Sequence, residues 1–228
     1  MWDMKETQDR ERRFREKDTP FGEFTVKTKT KWWNIIHLRN VYDFLGVKEN
    51  EYILDLGCSD GRFLEYASGK KPGCVLFGLD FARNPLKTLL AKNFRSYAVC
   101  GDMCRIPFKN AAFDRIVLIQ ALQQIPSREE RINILKNAGG LLKEHGTIVL
   151  TVLNRKSWCN LVENGKEGPL VTSPDIYEYL YDPADLREEI EEAGMAIDAI
   201  KGVNNIPVRY LKKTGYLGVF FDLLITRL

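Results

Sequence analysis

The sequence predicts an α/β fold: a seven-stranded, mostly parallel sheet with helices on both faces. Three observations predict it. Apolar runs of strand length alternate with amphipathic helical patterns along the 228 residues, as in a parallel sheet flanked by helices. The run "RIVLIQAL" is apolar enough to be buried on both faces. The strand in "ILDLGCSDGRF", Ile53 to Phe63, runs straight into a loop pinched by Gly57 and Gly61. The length suits one sizeable domain with a single core.

The opening "MWDMKETQDRERRFREK" lacks the apolar core of a secretory signal and reads as a solvated arm, helical or disordered. "TKWWNIIHLRNVYDFL" is the first clear helix, with Trp33, Ile36, Val41, Phe44 and Leu45 sharing a face. Residues 1–50 are therefore expected to be an arm and capping helix, and residues 51–228 the main domain. "YILDLG" is the first core strand and "GRFLEYAS" opens the helix after it. "VLFGLD" is the second strand, after which Asn84 and Pro85 suit the N-cap and first position of "PLKTLLAKN". "SYAVCGD" and "RIVLIQAL" are the third and fourth strands. Ser127 followed by Glu130 has capping-box spacing and starts a helix running to about Leu142. "GTIVLTVL" is the fifth strand, and Asp182, Pro183 and Gly194 bracket the helix "ADLREEIEEA". "MAIDAIKGV" and "VFFDLLITRL" supply the last two strands.

The interval Asn154–Tyr181 breaks the pattern, since compact domains rarely carry structureless loops beyond about 15 residues. It reads either as a surface excursion packed by its own aromatics or as a substrate lid. Composition is that of an ordinary globular chain, 44% hydrophobic and 29% charged, and a net charge of +3 is too small to argue for nucleic acid or a membrane. No apolar run reaches the roughly 20 residues of a bilayer span. Five cysteines without a paired framework point to reduced thiols in a cytoplasm. Cys100 and Cys104 have no second pair to complete a zinc site, so no metal is expected.

The glycine loop does not suit a phosphate. A dinucleotide site wants G-x-G-x-x-G, whereas Asp55, Gly57, Ser59 and Gly61 read D-x-G-x-S-x-G, with no Walker ending. The carboxylate of Asp55 fits an ammonium or hydroxyl partner better than a polyphosphate.

"ILDLGCSDGRF" resembles the first motif of the class I S-adenosylmethionine-dependent methyltransferases, in their small-molecule type. The resemblance extends from about Tyr52 to Leu153. "LFGLD" ends in an acid, Asp80, nineteen positions after Gly61; "GDMCRIPF", "FDRIVLIQALQQIP" and "LLKEHGTIVLTVLN" are similar to the family's later motifs. It implies a Rossmann-like three-layer sandwich, S-adenosyl-L-methionine as donor and S-adenosyl-L-homocysteine as product. It further implies cofactor contacts from Asp55, Gly57, Cys58, Ser59, Gly61, Asp80, Phe81, Asp102, Met103 and Gln120. Gly57 and Gly61 would permit close backbone approach, and N–H groups after Gly61 would face the donor's carboxylate. Asp80 can accept from ribose hydroxyls. The resemblance assigns Asp102 to the adenine amino group, Met103 to the ring and Gln120 to the methionine moiety; Phe81 and Ile106 either sandwich adenine or belong to the core.

Two departures stand out: Ser59 replaces the usual middle glycine, and Gln123 and Gln124 stand where similar sequences often carry histidine. The chain has two histidines. His145 sits in the turn "KEHG" and reads as solvated. His37 lies in "KWWNIIHLRN", similar to the Trp-Trp segment before the cofactor domain of some small-molecule and lipid-linked methyltransferases. It is the candidate catalytic group, against the alternative of a half-buried helix residue. Trp33, Trp158 and Tyr177 are candidate walls of the substrate pocket. The reaction expected is in-line transfer of a methyl group to an O, N, C or S nucleophile of a small-molecule acceptor. One alternative is an RNA (tRNA) methyltransferase, with Lys27, Lys29, Lys31, Arg209, Lys212 and Lys213 as its electrostatic footprint. The other is a non-catalytic donor-binding subunit, motivated by Gln123 and Gln124.

Overall fold

A computed structural model describes residues 4–16, 30–71, 73–155, 170–173, 176–203 and 223–227 of the chain. In chain order the elements are α1 (Met4–Arg15), α2 (Thr30–Leu45), β1 (Tyr52–Leu56), α3 (Arg62–Ser68), β2 (Val75–Asp80), α4 (Arg83–Leu90) and β3 (Tyr97–Cys100). There follow β4 (Phe113–Ile119), α5 (Arg128–Leu141), β5 (Leu142–Leu153), β6 (Leu170–Ser173), β7 (Ile176–Glu178), α6 (Pro183–Glu192), β8 (Ala199–Val203) and β9 (Leu223–Arg227). Short 3₁₀ turns follow β3 at Met103–Arg105 and β4 at Leu122–Gln124.

The expected three-layer sandwich is present. Its sheet has seven strands in the order β3-β2-β1-β4-β5-β9-β8. β1 to β5 pair in parallel, whereas β9 runs antiparallel to both β5 and β8. One face is sealed by Ile134, Leu135 and Ala138 of α5 with Leu186 and Ile190 of α6. The other is sealed by Val41 and Leu45 of α2, Phe63 and Leu64 of α3, and Leu86 and Leu89 of α4. Parallel strands covered on both faces place their C-terminal ends in one row, where such sheets bind ligands.

Local capping signals hold for two helices. Ser127 accepts from the Glu130 N–H to start α5, and Asp182 accepts from the Ala184 N–H to start α6 with Pro183 in its first turn. Elsewhere the structure corrects the sequence reading. The N-terminal segment is no solvated arm: α1 docks on the body of the protein and buries Thr7 and Glu11. The buried stripe of α2 runs His37, Val41, Leu45, while Ile36 is 39% exposed; a four-residue step keeps one helix face, and Ile36 falls off it. α4 begins at Arg83 rather than Pro85, with Ala82 as its N-cap and no local side chain on its free N–H groups. The turn at His145 (φ 63) lies within an irregular start of β5, with its imidazole exposed.

The Asn154–Tyr181 interval contains the antiparallel pair β6–β7. Its ends are tied together: Asn154 and Tyr181 form a parallel bridge, Tyr181 donates to Leu153 O at 2.9 Å, and Arg155 donates to Tyr181 O at 2.8 Å. Among the described residues no helix is long and apolar enough to cross a membrane.

Candidate functional site

The loop after β1 is built by backbone hydrogen bonds. Gly57 and Cys58 both donate to Leu79 O, at 2.8 and 3.1 Å, which ties the loop to the end of β2; Gly61 donates back to Cys58 O at 2.8 Å. Gly57 (φ 81) and Gly61 (φ 74) occupy the left-handed region. A Cβ on Gly57 would lie 2.7 Å from Ala121 Cβ and 3.2 Å from Met103 Cε, so this glycine keeps a narrow gap between three loops. Cys58 turns its thiol into the core, close beneath Gly78, and leaves only backbone at the loop surface.

Ser59 is also left-handed, at φ 50, which accounts for a glycine-like position holding a serine only under constraint. Its N–H donates to Asp80 Oδ2 at 2.8 Å, while its hydroxyl is buried with no hydrogen-bond partner. Asp80 also accepts from the Ala82 N–H at 2.9 Å. Burial raises the Asp80 carboxyl above its usual range despite these two donors. Asp55, at the end of β1, is 3% exposed, and its Oδ1 likewise lacks a partner. Burial, reinforced by the charge of Asp80, pushes its carboxyl up to about 8. A carboxylate oxygen at the end of β1 and a hydroxyl in the loop that follows, both buried without partners, are atoms awaiting a donor group. The Gly57 gap together with these orphaned oxygens fits a bound ammonium-bearing ligand.

Across the loop, Phe81 is half-buried, with the Arg12 guanidinium 5.7 Å from its ring centre. Asp102 caps the following 3₁₀ turn, accepting from the Cys104 N–H at 2.9 Å, and Met103 packs against the core. Ile106 packs there too. Gln120, just beyond β4, is left-handed at φ 53 and is held by its N–H to Thr151 O at 2.9 Å. Asp55, Ser59 and Asp80 thus cluster at the ends of β1 and β2, with Met103 beside Gly57.

His37 is 6% exposed, and its Nε2 has no hydrogen-bond partner. Burial, with the nearby Arg62 charge, lowers its imidazole to about 4. Trp33 lies on α2, and Trp158 lies outside the described residues, as do Lys27, Lys29, Arg209, Lys212 and Lys213. Tyr177 is buried near the Arg131–Glu189 ion pair; burial, with the Glu189 charge and against that of Arg131, holds its phenol above the usual range.

Sequence reasoning missed two groups. Gln123 is 1% exposed and structural: its Oε1 accepts from Leu153 N at 2.8 Å, and its Nε2 donates to Glu178 Oε1 at 3.4 Å. Glu11 of α1 is buried and ion-paired with Arg15 at 3.0 Å. Its carboxyl is raised by burial and then by Asp80 and Glu178, so α1 brings a carboxylate to the pocket. The even spacing of Gln8, Arg12 and Glu16 was the one signal available for a docked helix face.

Residues 54–150 match the family described as "Methyltransferase domain". Over 132 residues the chain is 26% identical to a tRNA (carboxymethyluridine(34)-5-O)-methyltransferase of Xenopus tropicalis, covering 58% of this chain and 19% of that protein. It is 23% identical over 191 residues to a sphingolipid C9-methyltransferase of Komagataella phaffii, covering 76% and 37%. The chain therefore spans well under two thirds of the length of these relatives. The Burkholderia thailandensis 1,6-didemethyltoxoflavin-N1-methyltransferase has a similar fold, with a TM-score of 0.70 at 15% identity over 100% of this chain and 90% of that one.

Proposed function

We infer from the match of residues 54–150 to the methyltransferase-domain family that this chain is a class I S-adenosylmethionine-dependent methyltransferase, and we propose that it methylates an O, N, C or S nucleophile of a small molecule. Burial beside the loop after β1 is the observation that carries the reading. Glu11 of α1 and His37 of α2 are both buried, Glu11 within reach of the Asp80 charge and His37 within reach of the Arg62 charge. A site bordered by the chain's own helices suits a small acceptor.

When bound, S-adenosylmethionine supplies a methyl group already activated on a sulfonium. In this proposal Asp55 and Ser59 take its amino-acid end and Asp80 its ribose, with Gly57 and Gly61 allowing close approach. Cys58 serves as loop backbone. Phe81, Asp102 and Met103 flank the base, and Gln120 lies toward the methionine moiety. The protein's main task is alignment, which supplies about 7–11 kcal/mol in well-oriented reactions. His37 enters as a hydrogen-bond acceptor. With its imidazole lowered to about 4 it is neutral at pH 7 and too weak a base to keep a proton. Its free Nε2 instead orients an acceptor O–H or N–H. Trp33 and the Asn154–Tyr181 interval, with Trp158 and Tyr177, complete the proposed acceptor wall.

Titration calorimetry with S-adenosylmethionine and S-adenosylhomocysteine tests the donor assignment, followed by product release over a panel of phenols, amines, thiols and bulk tRNA. Binding of both nucleosides and turnover on a small acceptor are expected. A folded protein that binds neither nucleoside sinks the donor assignment. Turnover confined to tRNA would instead favour a second reading, an RNA acceptor. That reading rests on an exposed aromatic strip in which Phe77 stacks on Tyr52 and Tyr97 at 6.2 and 5.0 Å, with Lys143 and Arg95 beside the two tyrosines.

A further inference from the structure

The contacts of α1 follow its helical period. Gln8, Arg12 and Glu16 recur at intervals of four, and each reaches a different loop at the strand ends. Gln8 Nε2 lies 3.8 Å from Cys104 Sγ, beyond β3. Arg12 lies over the Phe81 ring, beyond β2. Glu16 reaches the start of α4: its carboxylate accepts from the Arg83 N–H at 2.6 Å and the Asn84 N–H at 3.1 Å, and its carbonyl accepts from Asn84 Nδ2 at 2.8 Å. α4 has no cap of its own, so α1 supplies it in trans. The adjacent face carries the buried Thr7 and Glu11 inward, with Glu11 close enough to Asp80 for the two charges to oppose each other.

α1 therefore lies across Phe81, Asp80 and the turn after Asp102, the residues that the proposed function gives to the donor's nucleoside. We propose that α1 is the outer wall of the nucleoside site, positioned by Glu16, and that donor enters and product leaves only when α1 lifts from α4. The inference rests on the donor assignment made above.

The chemistry of the docking favours reversible opening. The buried side chains of α1, Thr7 and Glu11, are polar, and Gln8, Arg12 and Glu16 tie it to the body by hydrogen bonds and a ring contact. Elements held with little apolar burial open at low free energy. The docked state sets charges of both signs beside Asp80: Arg15 favours its ionised form, whereas Glu16 opposes it.

Gln8→Cys in a Cys100→Ser background permits a disulfide to the native Cys104, verified by mass and reversed by dithiothreitol. S-adenosylhomocysteine association and dissociation are followed by stopped flow. The locked, unloaded protein is expected to associate at least tenfold more slowly than its reduced form, and protein locked after loading to release ligand at least tenfold more slowly. Glu16→Ala, which keeps every donor-lining side chain, should accelerate both rates several-fold and expose the Arg83 and Asn84 amides to hydrogen exchange. A verified disulfide that leaves both rates unchanged overturns the proposal. So does a Glu16→Ala variant with unchanged rates and amide protection. Wild-type protein that binds no S-adenosylhomocysteine at all overturns the donor assignment and the wall with it, a result separate from unaltered exchange in a binding protein.

Discussion

Replacing Ser59 by glycine separates what the loop costs the fold from what it gives the ligand. Ser59 holds φ 50 and buries a hydroxyl with no partner. The left-handed conformation costs an L-residue about 1–2 kcal/mol. A buried hydroxyl left unsatisfied costs a further ~1–3 kcal/mol. Glycine offsets part of the gain through its freer unfolded chain, by roughly 0.5–1 kcal/mol. With both costs at their low ends and the glycine offset at its high end, Ser59→Gly should stabilise the unliganded protein by about 1 kcal/mol. For a chain of 228 residues that raises Tm by roughly 2–4 °C. The same change deletes the hydrogen bond proposed between Ser59 and the donor, worth about 0.5–1.5 kcal/mol, so affinity should fall about 2- to 10-fold. Thermal melts and donor titration of the pure variant measure the two effects. A less stable variant, or one that binds donor as tightly as wild type, refutes the reasoning.

Asp55 gives a signed pH dependence. Its folded carboxyl titrates near 8 against an ordinary 3.8, so between these values the folded chain keeps a proton that the unfolded chain has lost, and stability falls as pH rises. His37 acts oppositely from about 4 to 6.5, which leaves the net loss visible between roughly pH 6.5 and 8, with the raised Asp80 and Glu11 adding to the same sign. Urea unfolding across pH should show this decline, and Asp55→Asn should flatten it. Donor binding should release a proton from Asp55 near neutral pH, seen as buffer-dependent calorimetric heats that vanish in Asp55→Asn.

Arg131→Met leaves Glu189, 1% exposed and 2.6 Å from the guanidinium, without its counter-charge; a loss of about 3–5 kcal/mol in urea unfolding is expected, with more than half regained in the double variant Arg131→Met, Glu189→Leu. Gly61→Ala meets φ 74 and drives a Cβ into the Leu89 side chain, for about 2–4 kcal/mol less stability by the same measurement. His37→Gln, which keeps an acceptor atom, should retain more of the wild-type kcat than His37→Leu while KM for donor stays constant in steady-state assays.

The sheet was legible because each strand carries its own pattern: "VLFGLD" and "RIVLIQAL" are read correctly from apolar content alone, and Asp182–Pro183 marks a helix start that needs nothing from elsewhere. What escaped was non-local. "MKETQDRERRFR" has no apolar stripe, because its docked face is polar and its partners are backbone N–H groups of α4. The start of α4 was misplaced for the same reason, since its cap arrives from Glu16. The loop motif pointed to Asp55 and Asp80 at once; that Ser59 is left-handed, and that Gln123 ties β5 to β7, depends on distances no residue string carries.

Tyr181 donates to Leu153 and accepts from Arg155, so the chain leaves and rejoins the sheet through a single closed junction. A segment spliced at such a junction can change length without moving its ends. Doubling its length costs only about 0.6 kcal/mol in closure entropy, provided the returning stretch Tyr177–Tyr181 is kept, since Glu178 meets Gln123 and the Tyr181 hydroxyl donates to Glu189 of α6. Exchanging the part of the interval before Tyr177 between homologous proteins therefore tests the proposed acceptor wall, with a changed acceptor preference at constant donor affinity as the expected outcome.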